Sequence, residues 1–194
     1  MIEGKKKMTE LTRCPWVNGK NPLYIRYHDE EWSKPCHDDH ALYELLILES
    51  FQAGLSWECV LNKRENFRRA YDGFDVDKVA AYDERKAEEL LSDPGIIRNR
   101  RKVSASIRNS EIFREIQSEF GSFDRYIWGF TEGKSIREDC ALRTSSPLSD
   151  TVSRDLVRRG MRFVGTTIVY SYLQAIGVLS AHTEGCFCNT GAEI

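Results

Sequence analysis

The stretch from Asp39 to Gln52 constrains this chain more than any other. Leu42, Tyr43, Leu45, Leu46, Ile47, Leu48 and Phe51 crowd nearly every face that a helix there would present. Such a helix has no solvated side and must be covered by other elements. Within it stands Glu49. A carboxylate buried without a partner costs several kcal/mol or takes up a proton, so Glu49 is paired, faces a pocket or lies at the surface.

The rest of the chain supplies helices to do the covering. A Gly-Leu-Ser break follows, and Ser56 can cap a helix over Trp57–Tyr71 that Gly73 ends. Asp75–Tyr82 and Glu84–Leu91 read as short helices, Asp93-Pro94-Gly95 as a turn, and Arg98–Phe120 as a long helix. Phe123–Phe130 reads as a short helix and Thr131–Pro147 as a long loop. Ser149 or Asp150 can cap a helix that Gly160 stops after Arg159, and Thr166 or Thr167 opens an apolar helix ending near Leu179. No convincing alternation of period two is present, so the expected fold class is all-α.

With 194 residues, 41% of them hydrophobic, the chain can bury roughly 70% of the surface it exposes when unfolded. No linker or repeat divides it, which predicts one domain over 13–188, with room for two lobes, a disordered leader over 1–12 and a flexible tail over 189–194. The longest nearly apolar stretch, Ile168–Leu179, falls short of the ~18–20 residues that span a bilayer. The lysine-bearing N-terminus lacks the apolar segment of a secretory signal. Both observations point to a cytoplasmic protein without a membrane partner, whose six cysteines are free thiols or metal ligands. A formal net charge of −2, from 28 basic and 30 acidic side chains, excludes a polycationic coat.

Three further features can carry chemistry. Cys14, His28, His182 and Cys186 form a Cys-x13-His pair matched by a His-x3-Cys pair, and four such ligands would make a closed, structural zinc site. Cys36, His37 and His40 could bind a metal locally instead, and Cys188 could replace Cys186. Trp16, Tyr24, Tyr27, Trp32 and Trp57 cluster in sequence around Glu49, and flat rings beside a carboxylate suit a planar, electron-poor or cationic ligand, although aromatic core packing would give the same pattern. The turn Pro94–Ile97 leads into Arg98, Arg100, Arg101 and Lys102, a helix start whose free amides and cations suit phosphates, or else a solvated basic face paired with Glu84, Glu88 and Glu89. Arg154, Arg158, Arg159 and Arg162 could extend that face.

In order along the chain stand the blocks RCPWV at Arg13, LYIRYHDEEW at Leu23, LESFQAGLSWECVLNKRENFR at Leu48, GIIRNRRKV at Gly95, FVGTTIVYSYLQAIGVLSAH at Phe163, and the closing HTEGC. From Arg13 to about Cys188 the chain resembles the 3-methyladenine DNA glycosylase I family of the helix-hairpin-helix glycosylase superfamily. The resemblance implies a compact helical fold with a helix-hairpin-helix element and one structural Zn²⁺ per chain, held by Cys14, His28, His182 and Cys186 in a clasp between the terminal segments. It implies that Glu49 recognises the methylated base and serves catalysis, that Tyr27 and Trp57 line the pocket with Trp16 at its wall, and that Leu55 plugs the gap left by the departing nucleotide. It places Gly95, Ile97, Arg98, Arg100 and Lys102 on DNA, with Ile97 standing where the superfamily has its second hairpin glycine. The implied activity is hydrolytic release of 3-methyladenine from double-stranded alkylated DNA by a monomer that needs no protein partner. No lysine matches a Schiff-base position, and the resemblance is to a family that lacks the superfamily's catalytic Asp beyond the hairpin, so no separate general base is assigned: Asp124 and Asp139 could serve by residue type alone, and neither is compelling. The rival reading is a zinc-clasped module that binds DNA or lesions without cleaving anything.

Overall fold

The computed structural model describes residues 11–138 and 143–189. Ten helices account for most of them: α1 Pro22–Glu30, α2 Asp39–Gln52, α3 Trp57–Leu61, α4 Arg64–Ala70, α5 Val76–Ala80, α6 Glu84–Ser92, α7 Arg100–Phe120, α8 Phe123–Gly129, α9 Pro147–Arg159 and α10 Thr166–Ala175. A 3₁₀ turn, Asp72–Phe74, precedes α5, and two short strands, β1 Ile136–Arg137 and β2 Leu179–Ser180, pair in parallel. The all-helical expectation therefore holds apart from this one small ladder.

Helix α2 is the axis. It packs against α3, α7, α8 and α10, and Leu42 through Phe51 are buried without interruption. Asp38 caps it by accepting from the Ala41 N–H, while the Asp39 carboxylate accepts from the Phe123 and Asp124 amides at 2.9 and 2.7 Å and so fastens the start of α8 to the start of α2. Around the axis, Phe113 and Phe123 stack with centroids 4.1 Å apart, and the buried hydroxyls of Tyr43 and Tyr71 are met by Ser110 and Ser106 of α7. A second carboxylate inside the apolar helix, Glu44, is neutralised by Arg64 and Arg68 of α4, at 2.6 and 2.8 Å. Arg64 also forks onto Glu31, which joins the end of α1 to α2 and α4.

Four boundaries differ from those expected. The helix expected over Trp57–Tyr71 is broken into α3 and α4: the Lys63 N–H turns back to Val60 O, and its ammonium reaches the carbonyls of Pro94 and Gly95. Helix α9 starts earlier, because Ser146 is its cap, Pro147 its first residue and Ser149 the return arm of a capping box. Helix α10 stops at Ala175 rather than near Leu179. Its end is set by Gly177, at φ +76°, where a Cβ would lie 2.4 Å from the Lys34 backbone carbon. Helix α1 was not foreseen, although Asn21 caps it and Pro22 opens it. Its buried face is Tyr24, Tyr27 and His28, spaced i, i+3, i+4.

The close approach at Gly177 lays the segment after α1 along the end of α10. Ser33 N–H donates to Gln174 O and Cys36 N–H to Ile176 O. Trp32 is thereby carried to the side of α2 that bears Glu49.

Candidate base-binding cavity, metal cluster and DNA-facing turns

Beside α2 lies a cavity of about 240 Å³ lined by Trp16, Tyr24, Tyr27, Trp32, Glu49, Gln52, Trp57, Ser171 and Gln174. Cavities for drug-sized ligands run from about 300 to 1,000 Å³, so this one suits a smaller guest, on the scale of a single heterocycle. Each wall has its own anchor. Helix α1 is tied to α3 by Asn21, whose amide donates to Glu58 and Asn62, and by Asn18, which also donates to Glu58. Tyr27 and Trp57 then meet at 5.1 Å between centroids, tilted by 45°. Trp16 is 37% exposed and stands at the rim, edge-on to Trp32 at 4.7 Å.

Glu49 is 3% exposed and its Oε2 has no hydrogen-bond partner. Burial alone pushes its carboxyl up to about 8. Among the described residues no arginine neutralises it, in contrast to Glu44 only five positions earlier. Two more buried polar atoms of the lining are also without partners: Gln52 Oε1, an acceptor, and Trp57 Nε1, a donor. Buried polar groups are ordinarily satisfied. Two acceptors and one donor around one aromatic cavity are the polar groups that a planar guest with complementary donors and acceptors would meet.

On the far side of Trp16 and Trp32, four further side chains converge. Cys14 Sγ is 3.5 Å from His182 Nδ1, Cys186 Sγ is 3.5 Å from His28 Nε2 and 3.7 Å from His182 Nδ1, and all four ligand atoms lie within 4.8 Å of one another. A tetrahedral Zn²⁺ with ordinary sulfur and nitrogen bond lengths would separate its S and N ligands by about 3.6 Å. His28 turns its other nitrogen to Asp29 at 2.8 Å, and Asp29 is in turn held by Arg13, which is how a ligating imidazole is fixed in orientation. The donor set fits the ion. Its neighbours are the cavity's own walls, since Trp16 approaches His28 at 5.3 Å and Trp32 approaches His182 at 4.8 Å. The local alternative does not assemble, because His37 is held by Asp124 and His40 by Gly73 O. Cys188 does fall near His28 and Asp29, as a second grouping that shares His28.

The turn between α6 and α7 differs from expectation in its detail. Gly95 N–H already donates to Asp93 Oδ1 at 2.7 Å, its carbonyl accepts from Lys63 and Asn66, and a Cβ there would meet Asp93 at 2.9 Å. Arg100 forks onto Glu88. Lys102 is 7% exposed and donates to Phe51 O and Ala53 O at 2.8 and 2.6 Å. The polar groups of Gly95 and Lys102 are thus engaged inside the protein rather than presented to a phosphate, and Arg100 carries its own counter-ion. Ile97 and Arg98 do line an open cavity of about 480 Å³ shared with Leu55, Arg101 and Phe163. Leu55 is 41% exposed at the tip of the α2–α3 loop.

A better anion cradle faces the same opening. Helix α10 begins after Gly165 with no side-chain cap, so its first-turn amides are open to a ligand. Phe163 precedes it in the left-handed region, φ +55°, where glycine is the easier occupant. Arg101 and Arg162 are exposed and, among the described residues, have no ion pair.

The family model for methyladenine glycosylase matches residues 16–189. The chain belongs to the methyladenine glycosylase family. DNA-3-methyladenine glycosylase 1 of Escherichia coli K12 is 43% identical over an alignment covering 93% of this chain and 98% of that protein. A crystal structure of 3-methyladenine DNA glycosylase I superposes with a TM-score of 0.87 at 43% identity, covering 91% of this chain and 99% of that one. A variant of such a glycosylase, solved in complex with 3-methyladenine, superposes at 0.83 with 33% identity, covering 87% of this chain and 92% of that one.

Within the glycosylase fold, sequence reasoning passes over three cavity residues. Gln52 sits one turn beyond Glu49, a spacing that puts both on one helix face, and Ser171 and Gln174 are the polar interruptions of the otherwise apolar α10. Polar residues at i, i+3 in a helix buried on its other faces were the available signal.

Proposed function

We propose that this chain is a DNA glycosylase of base-excision repair that hydrolytically releases 3-methyladenine from alkylated duplex DNA and leaves an abasic site. The observation that carries the reading is the aromatic cavity around an unpaired, buried Glu49. The damaged nucleotide is extruded into that cavity at a cost of a few kcal/mol, with Leu55 entering the gap. Methylation at N3 makes the base formally cationic, so it is attracted by the faces of Trp57 and Tyr27 and by an ionised Glu49. As the bond from C1′ to the base breaks, its electron pair leaves with the base and neutralises it. Positive charge passes to the sugar, a water oxygen bonds C1′, and the proton of that water goes to solvent. Glu49 acts by holding the base in the geometry of departure. Asp124 is engaged with His37 and does not line the cavity, and Asp139 lies outside the described residues. Little push is required from a good leaving group, and no separate base is assigned.

The duplex is gripped, in this reading, by the open amides of α10 in a helix-hairpin-helix made of α9 and α10, together with Arg98, Arg101 and Arg162. Cys14, His28, His182 and Cys186 would hold one Zn²⁺. With four protein ligands and no open position, the ion would be structural, closing the terminal segments over Trp16 and Trp32. The enzyme acts as a monomer in the cytoplasm.

The test is chromatographic detection of free bases released from methylated duplex DNA, with Glu49→Gln alongside the wild type. Release of 3-methyladenine by the wild type and a loss of about a hundredfold or more in the variant is the expected result, within the range of one well-placed electrostatic group. Binding of the DNA without release of base would leave only a DNA-binding module.

A further inference from the structure

We infer that Lys102 is a positioning residue for nucleotide extrusion: from α7 it ties down the end of α2 and the Ala53–Gly54–Leu55 loop, and so sets where Leu55 meets the duplex. The inference rests on the glycosylase reading and extends it to a residue that touches neither base nor phosphate.

A lysine is almost never fully buried unless it is paired. Lys102 is 7% exposed, and no carboxylate forms an ion pair with it among the described residues. Its ammonium instead takes two carbonyls, Phe51 O at 2.8 Å and Ala53 O at 2.6 Å, and lies 6.0 Å from the centroid of Phe163. Phe51 belongs to the last turn of α2, whose carbonyls have no intrahelical donors, and a cation there is favoured by the helix dipole. Ala53 is the first residue beyond the helix, and Gly54, at φ +77°, follows it. Among the described residues, the one backbone–backbone bond that closes this corner is Leu55 N–H to Gln52 O. Remove the ammonium and the corner that carries Leu55 hangs on a single hydrogen bond.

The contact also joins three working parts. Glu49 is one turn back on α2, Leu55 is two residues beyond Ala53, and Phe163 stands on the hairpin that leads into α10. A duplex pressing on the hairpin and on Leu55 presses on two sides of one ammonium. Lys102 has room to act on the extrusion step and none to act on the base, since it is not among the residues lining the base cavity.

The experiment compares the full chain with Lys102→Met and Lys102→Arg in three measurements. Binding of free 3-methyladenine is followed by quenching of the cavity tryptophans. Binding to a duplex holding a stable abasic-site analogue is set against binding to the same duplex undamaged, and base release from methylated DNA is resolved into kcat and KM. Lys102→Met is expected to bind the free base within about threefold of wild type, to lose about tenfold or more of its preference for the abasic duplex, and to lose kcat more than KM, with Lys102→Arg recovering much of both. A cycle of Lys102→Gln with Leu55→Ala keeps the test decisive if the methionine variant folds poorly: because Lys102 acts through Leu55, the losses of Lys102→Gln and Leu55→Ala must be non-additive. Additive losses in that cycle overturn the inference. So does an equal loss on abasic and undamaged duplexes with a shallower salt dependence, which is the signature of a direct phosphate contact. So does a matching loss of free-base binding, which would mean general loosening. If the wild type binds both ligands but releases no base, the glycosylase reading fails by itself, and the binding preferences still judge Lys102.

Discussion

Two glutamates five positions apart on α2 show how much a single side chain's surroundings decide. Glu44 meets Arg64 and Arg68 and is structural, whereas Glu49 meets no cation among the described residues and faces the cavity. With its carboxyl pushed up to about 8 by burial, Glu49 favours its neutral form at neutral pH. The folded state then binds one proton more than the unfolded chain between about pH 4.5 and 8, so this residue's contribution to stability falls as pH rises through that window. Glu49→Gln should remove the fall, and denaturant titrations of both proteins across pH 5–9 check it. Capture of a cationic base needs the ionised form, so kcat/KM should climb with pH and level off above about 8, and that rise should be missing from whatever activity Glu49→Gln retains. The sequence made the buried helix and the anomaly of Glu49 legible. It could not separate Glu44 from Glu49, because the separation depends on which helix, α4 or α1, lies opposite each one.

The hairpins show where local pattern misleads. Pro94–Ile97 has the turn residues and the cations of a phosphate grip, yet Asp93 accepts from its Gly95 amide, Asn66 donates to its Gly95 carbonyl, and Glu88 pairs with Arg100. The α9–α10 turn has fewer obvious marks, but its helix start has no side-chain cap and Arg162, exposed and without an ion pair among the described residues, lies just before it. Phe163 holds a backbone conformation that costs a non-glycine residue about 1–2 kcal/mol. Phe163→Gly should therefore leave thermal stability within about 1 kcal/mol of wild type, strain relief offsetting lost ring contacts, while affinity for the abasic duplex drops severalfold; a melting curve and a titration settle it. Gly177→Ala should behave oppositely. A methyl group 2.4 Å from the Lys34 backbone forces the strap apart, and destabilisation by more than about 2 kcal/mol is expected by denaturant unfolding.

Across the whole molecule, the walls of the cavity come from parts of the chain far apart in sequence. Trp16 and Trp32 flank α1, Glu49 and Gln52 lie on α2, Trp57 on α3, and Ser171 and Gln174 on α10. Aromatic clustering near Glu49 announced the first of these. Nothing local announced α10, which reaches the cavity only because Gly177 and Ser33 lay the strap against its end. Withdrawal of metal by a chelator should lower the unfolding temperature by several degrees and redistribute tryptophan fluorescence; Cys186→Ala, still folded, should reproduce both changes. The tryptophan pair that divides the Cys/His cluster from the base cavity has one more consequence. A partition touched from both rooms makes their occupants thermodynamic partners, and reciprocity requires that whatever the ion does for the affinity of the base, the base does for the retention of the ion. Product lingering after excision would then slow the escape of the metal to a chelator, and an enzyme at work would keep its clasp longer than one at rest.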